Sequence, residues 1–194
     1  MAISQINTNS IATSAVSSAK LASGVPTRAQ MPTGSILQVV QTVSSTQTAY
    51  TSASFLTINE LTTSITPTSA TSKILIMVSM TIGTSANAYA FAKFQRNGSD
   101  IAGAKGSPTA SSPTAATFEM LLNSNAGGFN QHAYPNNYMY LDSPATTSST
   151  TYSIVANGIQ NAALTFYINR ASGPNGDANN ISAVSTMTLM EIAA

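Results

Sequence analysis

From Gly34 to the C terminus, the chain alternates between short apolar runs and short polar connections. The runs are rich in β-branched residues and Met, and Gly, Pro, Asn and Ser residues separate them. None of the runs repeats apolar residues at i, i+3 and i+4, which is the stripe of an amphipathic helix. Short runs at regular spacing with turn residues between them are typical of a β-sandwich or jelly roll. The pattern therefore predicts an all-β, antiparallel domain over residues 34–194.

About nine or ten strands are predicted from these runs. They cover residues 35–43, 50–58, 61–67, 72–83, 87–103, 117–123, 137–144, 150–159, 162–170 and 182–193. Residues 72–83 are almost continuously apolar, as expected of a strand that is covered on both faces. Asn97 and Gly98 supply the positive φ angles of a type I′ turn, which predicts a hairpin at this point. Residues 150–159 and 162–170 are predicted to pair as antiparallel neighbours.

The first residues follow a different pattern. Ile6, Ile11, Val16 and Leu21 are isolated apolar residues at a repeated spacing of five, which matches neither the helical nor the strand period. The segment GVPTRAQMPTG follows with two Pro and two Gly, as in an extended linker. We predict an extended N-terminal arm and linker over residues 1–33. A single arm cannot bury its four apolar residues, so we expect them to anchor the protein, either in a partner's groove or among three copies on an axis.

Composition agrees with a folded β-protein and excludes several classes of function. Charged residues make up 7% of the chain, against roughly 25% in ordinary soluble domains, and 54 Ser and Thr residues supply the polarity instead. A hydrophobic fraction of 43% argues against disorder. The net charge of +1 and the scattered basic residues argue against nucleic-acid binding. We see no signal peptide and no apolar stretch long enough to span a membrane.

The residues that could carry chemistry are few. The chain has no Cys, so it has no disulfide, no thiolate nucleophile and no cysteine-based zinc site. Six acidic residues are spread along the chain, and none lies close in sequence to another, so a glycosidase-type carboxylate pair is not indicated. His132 is the only His, and no G-x-S-x-G motif accompanies it. We therefore expect no enzymatic activity, no cofactor and no metal.

Residues 129–140, FNQHAYPNNYMY, carry the strongest binding signal. Planar amides beside aromatic rings suit a sugar-binding surface, because Tyr offers a large contact area at low entropic cost. The predicted ligand-binding loop uses His132, Tyr134, Asn136 and Asn137. Along the strand that follows, Tyr138 and Tyr140 point the same way, and we expect them to fill the core or a subunit interface.

Four motifs in order resemble a group of tailed-phage virion proteins described as tail-fibre-like or head-fibre-like, common in marine and cyanobacterial phages. The motifs are GSILQVVQT, SITPTSATSKILIMVSM, YLDSPATTSSTTYSI and the final INR…STMTLMEIAA, and together they span residues 34–194. The N-terminal NSIATSAVSSAKLASG is similar to the Ser/Ala/Thr stretches that precede phage fibre domains. The resemblance implies an adhesive or decorative knob, a homotrimer with a jelly-roll head akin to the tumour-necrosis-factor-like fold, without enzymatic activity.

Physical reasoning also favours a trimer, because a charge-poor β-domain would aggregate through its strand edges unless assembly covered them. Three alternative functions are consistent with these observations. The first is a non-enzymatic structural protein on the phage particle surface, anchored to a capsid or tail protein by its arm. The second is a carbohydrate-binding adhesin whose 129–140 loop recognises host-surface glycans. The third is a hydrolase such as a depolymerase.

Overall fold

The computed structural model describes residues 31–84, 88–111, 114–122, 133–159, 165–171 and 181–194. The chain divides into two units, residues 1–32 and 33–194. The described part of the second unit contains eleven strands and a short 3-10 helix, Ala102–Ala104. The strands are β1 (Ile36–Ser44), β2 (Thr48–Thr51), β3 (Leu56–Ile65), β4 (Lys73–Thr84), β5 (Ala88–Arg96), β6 (Ser99–Asp100), β7 (Phe118–Leu122), β8 (Ala133–Asp142), β9 (Thr150–Ile159), β10 (Thr165–Ile168) and β11 (Ser185–Ile192). Within these residues, no helix has the length and apolarity needed to cross a bilayer.

The strands form two antiparallel sheets. The first sheet is centred on β4, which pairs with β8 along one side and with β11 and then β10 along the other. β1 pairs with β11, and β2 pairs with β10, which completes this sheet. The second sheet has the order β3-β9-β5, and β6 and β7 both pair with β5. The prediction of an all-β, antiparallel protein is confirmed.

One hydrophobic core lies between the two sheets, as in a β-sandwich. Ile76 on β4 and Leu189 on β11 come from the first sheet, whereas Phe94 on β5 and Tyr152 on β9 come from the second, and all four are almost fully buried. In β11, alternate residues face this core, which is the period of two that the sequence shows in its apolar runs. Burial of these alternating residues fixes the register of β11, because a slip by one residue would expose them all.

Asn97 and Gly98 form the predicted hairpin turn. Their φ angles are 49° and 77°, and the turn pairs Gln95 with Asp100 and Arg96 with Ser99. Positive φ at both central residues is what a type I′ turn requires. The prediction of this hairpin is confirmed.

The predicted pairing of residues 150–159 with residues 162–170 is wrong. β9 and β10 lie in different sheets, because β3 and β5 already occupy the two edges of β9. β10 pairs instead with β2 and β4. The sequence pattern could not distinguish these arrangements, since an alternating strand can bury its apolar side from either sheet.

The strand predicted over residues 50–58 is also wrong in its bounds. β2 ends at Thr51 and β3 begins at Leu56, and β3 then continues to Ile65. In the connection, the backbone N–H of Ser54 donates to the Ser52 hydroxyl at 3.0 Å. Such local side-chain bonds compete with the strand ladder and favour a turn.

Asn169 connects three parts of the first sheet where β4 changes partner from β11 to β10. Its side-chain amide donates to the carbonyls of Ser44 and Thr46 at 2.9 and 3.0 Å. Its side-chain oxygen accepts from the Ser185 hydroxyl at 2.5 Å, and its backbone N–H donates to Thr81 O at 2.9 Å. Asn169 is fully buried with φ of 62°, a conformation that Asn tolerates better than most residues. Its side chain therefore closes the gap between strand ends with satisfied polar groups.

We expect Asn169→Ala to lower the free energy of unfolding by about 2–4 kcal/mol, because it leaves buried carbonyls without donors and places Ala at positive φ. Asn169→Gly should cost less, since Gly accepts the backbone angle. The exposed Asn59→Ala on β3 is the control, with an effect within about 0.5 kcal/mol. Urea denaturation measures all three variants. Equal stability of Asn169→Ala and Asn59→Ala would contradict the role of Asn169.

Candidate functional site

The outer face of the first sheet is one candidate surface. Strand register brings outward-facing residues of β1, β11, β4 and β8 into three rows across the sheet. The rows are Val39, Met190, Leu75 and Leu141; Gln41, Thr188, Met77 and Met139; and Val43, Thr186, Ser79 and Asn137. We call these twelve residues the outer face. It contains no charged side chain.

Four of the seven apolar side chains of the outer face are exposed. Met139 is 69% exposed, Val43 59%, Val39 53% and Leu141 45%. A shallow groove of about 430 Å³ crosses the middle of the face beside Met77 and Met139. Adjoining apolar residues that remain exposed on a folded protein mark surfaces that bind other molecules.

β4 shows why this face needs a cover. Its inward residues are at most 4% exposed, whereas Leu75 and Met77 on its outward side are only half-buried. The sequence predicts a strand covered on both faces, and within the described part of the chain only one face is covered. A strand with this pattern is normally the centre of a sheet with layers on both sides.

The predicted ligand-binding loop is a strand over its whole described length, residues 133–140. β8 begins at Ala133, four residues earlier than the pattern predicts, because β4 is long enough to offer partners as far as Gly83. Pro135 within β8 conceals this strand in the sequence, yet an edge strand tolerates a residue without an N–H group. His132 lies outside the described residues.

Tyr134, Asn136 and Asn137 do not share one surface. Tyr134 and Asn136 lie opposite the buried Ile82 and Met80, on the core-facing side of β8. Asn137 lies opposite Ser79 and belongs to the outer face. The prediction that these residues form one loop is wrong, because the period of two in a strand sends neighbours to opposite faces.

Tyr138 and Tyr140 pack against the core, as expected. The Tyr138 ring stacks on Phe118 with ring centroids 3.8 Å apart, and its hydroxyl donates to Glu119 O at 3.4 Å. The hydroxyl of Tyr140 lies so close to the 3-10 helix that a Cβ atom at Gly103 would come within 2.5 Å of it. Glycine at this position therefore lets the helix pack onto β8.

A charged corner lies at the opposite end of β8, between the β5–β6 hairpin and Asp142. Asp142 is buried and accepts two hydrogen bonds at 2.7 Å, from Arg96 Nη1 and from the Tyr152 hydroxyl. Burial, with the hydrogen bond to Asp142, raises the pKa of Tyr152 well above its usual range. The three side chains come from β8, β5 and β9, so they join the two sheets at this end of the core.

Asp100 on the hairpin forms the second part of the charged corner. Its carboxylate accepts hydrogen bonds from Gln95 and Lys105 at 3.0 Å and from Lys93 at 3.2 Å. The Gln95 hydrogen bond and the two ammonium groups lower the pKa of Asp100 to about 2, against the effect of burial. Asp100 is therefore ionised at neutral pH, which suits binding rather than proton donation.

Two further carboxylates hold the fold together. Glu191 is fully buried and accepts from Gln38 at 2.6 Å and from the N–H and hydroxyl of Thr68 at 2.7 Å. Burial acts to raise its pKa, but the hydrogen bonds from Thr68 and Gln38 outweigh it, so the pKa of Glu191 lies below its usual value. Glu60 accepts from Thr48 and from the Tyr50 hydroxyl.

Burial and the hydrogen bond to Glu60 raise the pKa of Tyr50 to about 12.

Among the residues that the structure describes, no three His, Asp or Glu side chains lie together as metal ligands would. The predicted anchoring residues Ile6, Ile11, Val16 and Leu21 lie outside the described residues. Compared with known proteins, the chain matches no family model and no curated relative.

Asp100 makes stability depend on pH in the acid range. Its pKa is lowered from 3.8 to about 2 on folding, so its stabilising effect is complete above pH 4 and is lost as the pH falls toward 2. We expect the stability difference between wild type and Asp100→Asn to shrink over this range by at most about 2 kcal/mol. Urea denaturation between pH 7 and pH 2 measures it.

Ser99→Ala is the control for this titration, because it removes no charge from the same hairpin. Its effect on the free energy of unfolding should stay constant between pH 7 and pH 2. A difference between wild type and Asp100→Asn that is equally constant would show that the ion pairs of Asp100 contribute no stability.

Proposed function

We propose that this protein is a non-enzymatic structural protein of a tailed-phage particle, a short trimeric fibre or decoration protein displayed on the particle surface. The observation that carries this proposal is the uncharged outer face with its exposed Met and Val side chains. A second copy of the chain is the occupant that fits this face best, because another uncharged surface can cover it without burying an unpaired charge. The resemblance to phage fibre-like proteins is the reason for proposing three copies and for placing them on a phage particle.

The strand order supports a jelly roll akin to the tumour-necrosis-factor-like fold. The eight longer strands lie in two layers, in the orders β1-β11-β4-β8 and β3-β9-β5-β7. The chain crosses from one layer to the other between consecutive long strands, except from β5 to β7, which pair with each other. A jelly roll is an antiparallel double sheet of eight strands in which the chain crosses repeatedly from one layer to the other. The outer face would then be the side on which three copies meet.

The composition supports self-association as the source of stability. The chain has no Cys to form disulfides and few charges to keep a single copy soluble. Burying the outer face in an assembly would remove apolar area from water at about 25 cal/mol per Å². It would also shield the second edge of β8, which pairs with no strand among the described residues and could otherwise pair with unrelated strands.

Four carboxylates support a non-enzymatic role. Glu60, Asp100, Asp142 and Glu191 all accept hydrogen bonds from side chains that hold strands or hairpins in place. Such satisfied groups are typical of structural networks. The arm completes the proposal: Ile6, Ile11, Val16 and Leu21 would anchor the protein to a capsid or tail protein.

Met139→Glu should dissociate the assembly, because a carboxylate in the middle of a buried apolar interface has no partner. Light scattering on the wild type should give a mass near three times 19.9 kDa, and the variant should approach 19.9 kDa. The control is Thr57→Glu, which places the same charge on an exposed position of the second sheet and should leave the mass unchanged. A wild-type mass near that of one chain would contradict the trimer.

Deleting residues 1–30 should leave a folded trimer that no longer joins phage particles, since the described sandwich begins after this segment. Circular dichroism and light scattering test folding and assembly, and immunoblotting of purified particles tests incorporation. Full-length protein serves as the control. Particles that incorporate the truncated protein as well as the full-length one would overturn the anchoring role of the arm.

A further inference from the structure

We propose that the charged corner forms a binding site for an acidic saccharide, a sugar unit that carries a carboxylate. The corner contains a cleft of about 350 Å³ between the hairpin with its 3-10 helix and the end of β8. Arg96 and Asp100 line one side of the cleft, and Tyr140 and Leu141 line the other. A cleft of this size is within the range of small-molecule sites. The inference rests on this cleft alone and does not depend on the assembly proposed above.

Charge is concentrated here in a chain that has very little of it. Lys93 and Lys105 pair with Asp100, and Arg96 pairs with Asp142. Arg96, Asp100 and Asp142 line the cleft, and the two lysines lie beside it, against Asp100. These are five of the chain's 7 basic and 6 acidic residues. Three of the five are cations and two are carboxylates, so the corner carries a net charge of +1 when all five are ionised. A surplus of one positive charge fits a ligand with one negative charge.

Arg96 is the group that would hold the carboxylate. Its Nη1 donates to Asp142 at 2.7 Å and to the carbonyl of Ser143 at 3.3 Å. Both of these hydrogen bonds use Nη1, and the side chain is 35% exposed. The exposed edge of a guanidinium can bind a carboxylate through two parallel hydrogen bonds.

The remaining lining suits the rest of a sugar. Ser99, Asp100 and the hydroxyl of Tyr140 offer donors and acceptors for ring hydroxyls, and the exposed Ala102 and Gly103 add uncharged surface. Asp100 is ionised and would repel a second negative charge close by, which disfavours a phosphate dianion. The lining therefore selects a singly charged, hydroxyl-rich ligand such as a uronic acid unit.

The test uses purified full-length protein and isothermal titration calorimetry at low salt. The probes are short oligosaccharides of galacturonic, glucuronic and mannuronic acid, with maltotriose as the uncharged comparison and inorganic phosphate as the anion without a sugar. At least one uronic acid oligosaccharide should bind at least tenfold more tightly than maltotriose and phosphate. Absence of binding by all three acidic probes would overturn the proposal, as would equal binding of maltotriose or phosphate.

The variant Ala102→Glu tests whether the ligand binds in the cleft or elsewhere on the surface. Ala102 is an exposed residue that lines the cleft, so a carboxylate there should repel the ligand and weaken binding at least tenfold without disturbing the core. Ala70→Glu adds the same charge at an exposed turn between β3 and β4 and should bind like wild type. Equal affinity of the two variants would place any binding elsewhere and overturn the site.

Discussion

The structure depends on how β4 is covered. β4 is the central strand of the first sheet, and its inward residues from Ile74 to Ile82 form much of the core. Its outward residues Leu75 and Met77 are equally apolar, and the neighbouring strands extend their rows with Val39, Met139 and other exposed apolar side chains. Hydrophobic burial is the dominant favourable term in folding and association, so a strand that is apolar on both sides favours a layer on both sides.

Several buried polar groups lie where strand ladders end. Asn169 satisfies backbone carbonyls at the gap between β10 and β11, and Glu191, near the end of β11, accepts hydrogen bonds from Gln38 and Thr68. Asp142 joins β8 to the second sheet through Arg96 and Tyr152. Because buried polar groups are costly when unpaired, these few networks restrict the ways in which the two sheets can meet.

Local signals predicted the strands but not all of their partners. The continuous run of β4, the Asn97-Gly98 turn and the closing strand are visible in the sequence because each depends on neighbouring residues. The separation of β9 from β10 depends on which edges are already occupied, which no local pattern contains. The charged corner joins Arg96 to Asp142, 46 residues apart in sequence. The sequence therefore predicted the hairpin that follows Arg96 but not the contact between Arg96 and Asp142.

The most direct test of the covered outer face is the rate at which its methionines are oxidised. In a single chain, Met139 is 69% exposed and Met31 is 39% exposed, so hydrogen peroxide should oxidise Met139 at least as fast as Met31. If other copies cover the outer face, mass spectrometry of the full-length protein will find Met139 protected while Met31 is converted to the sulfoxide. Oxidation of Met139 at the rate of Met31 or faster would contradict the covered face.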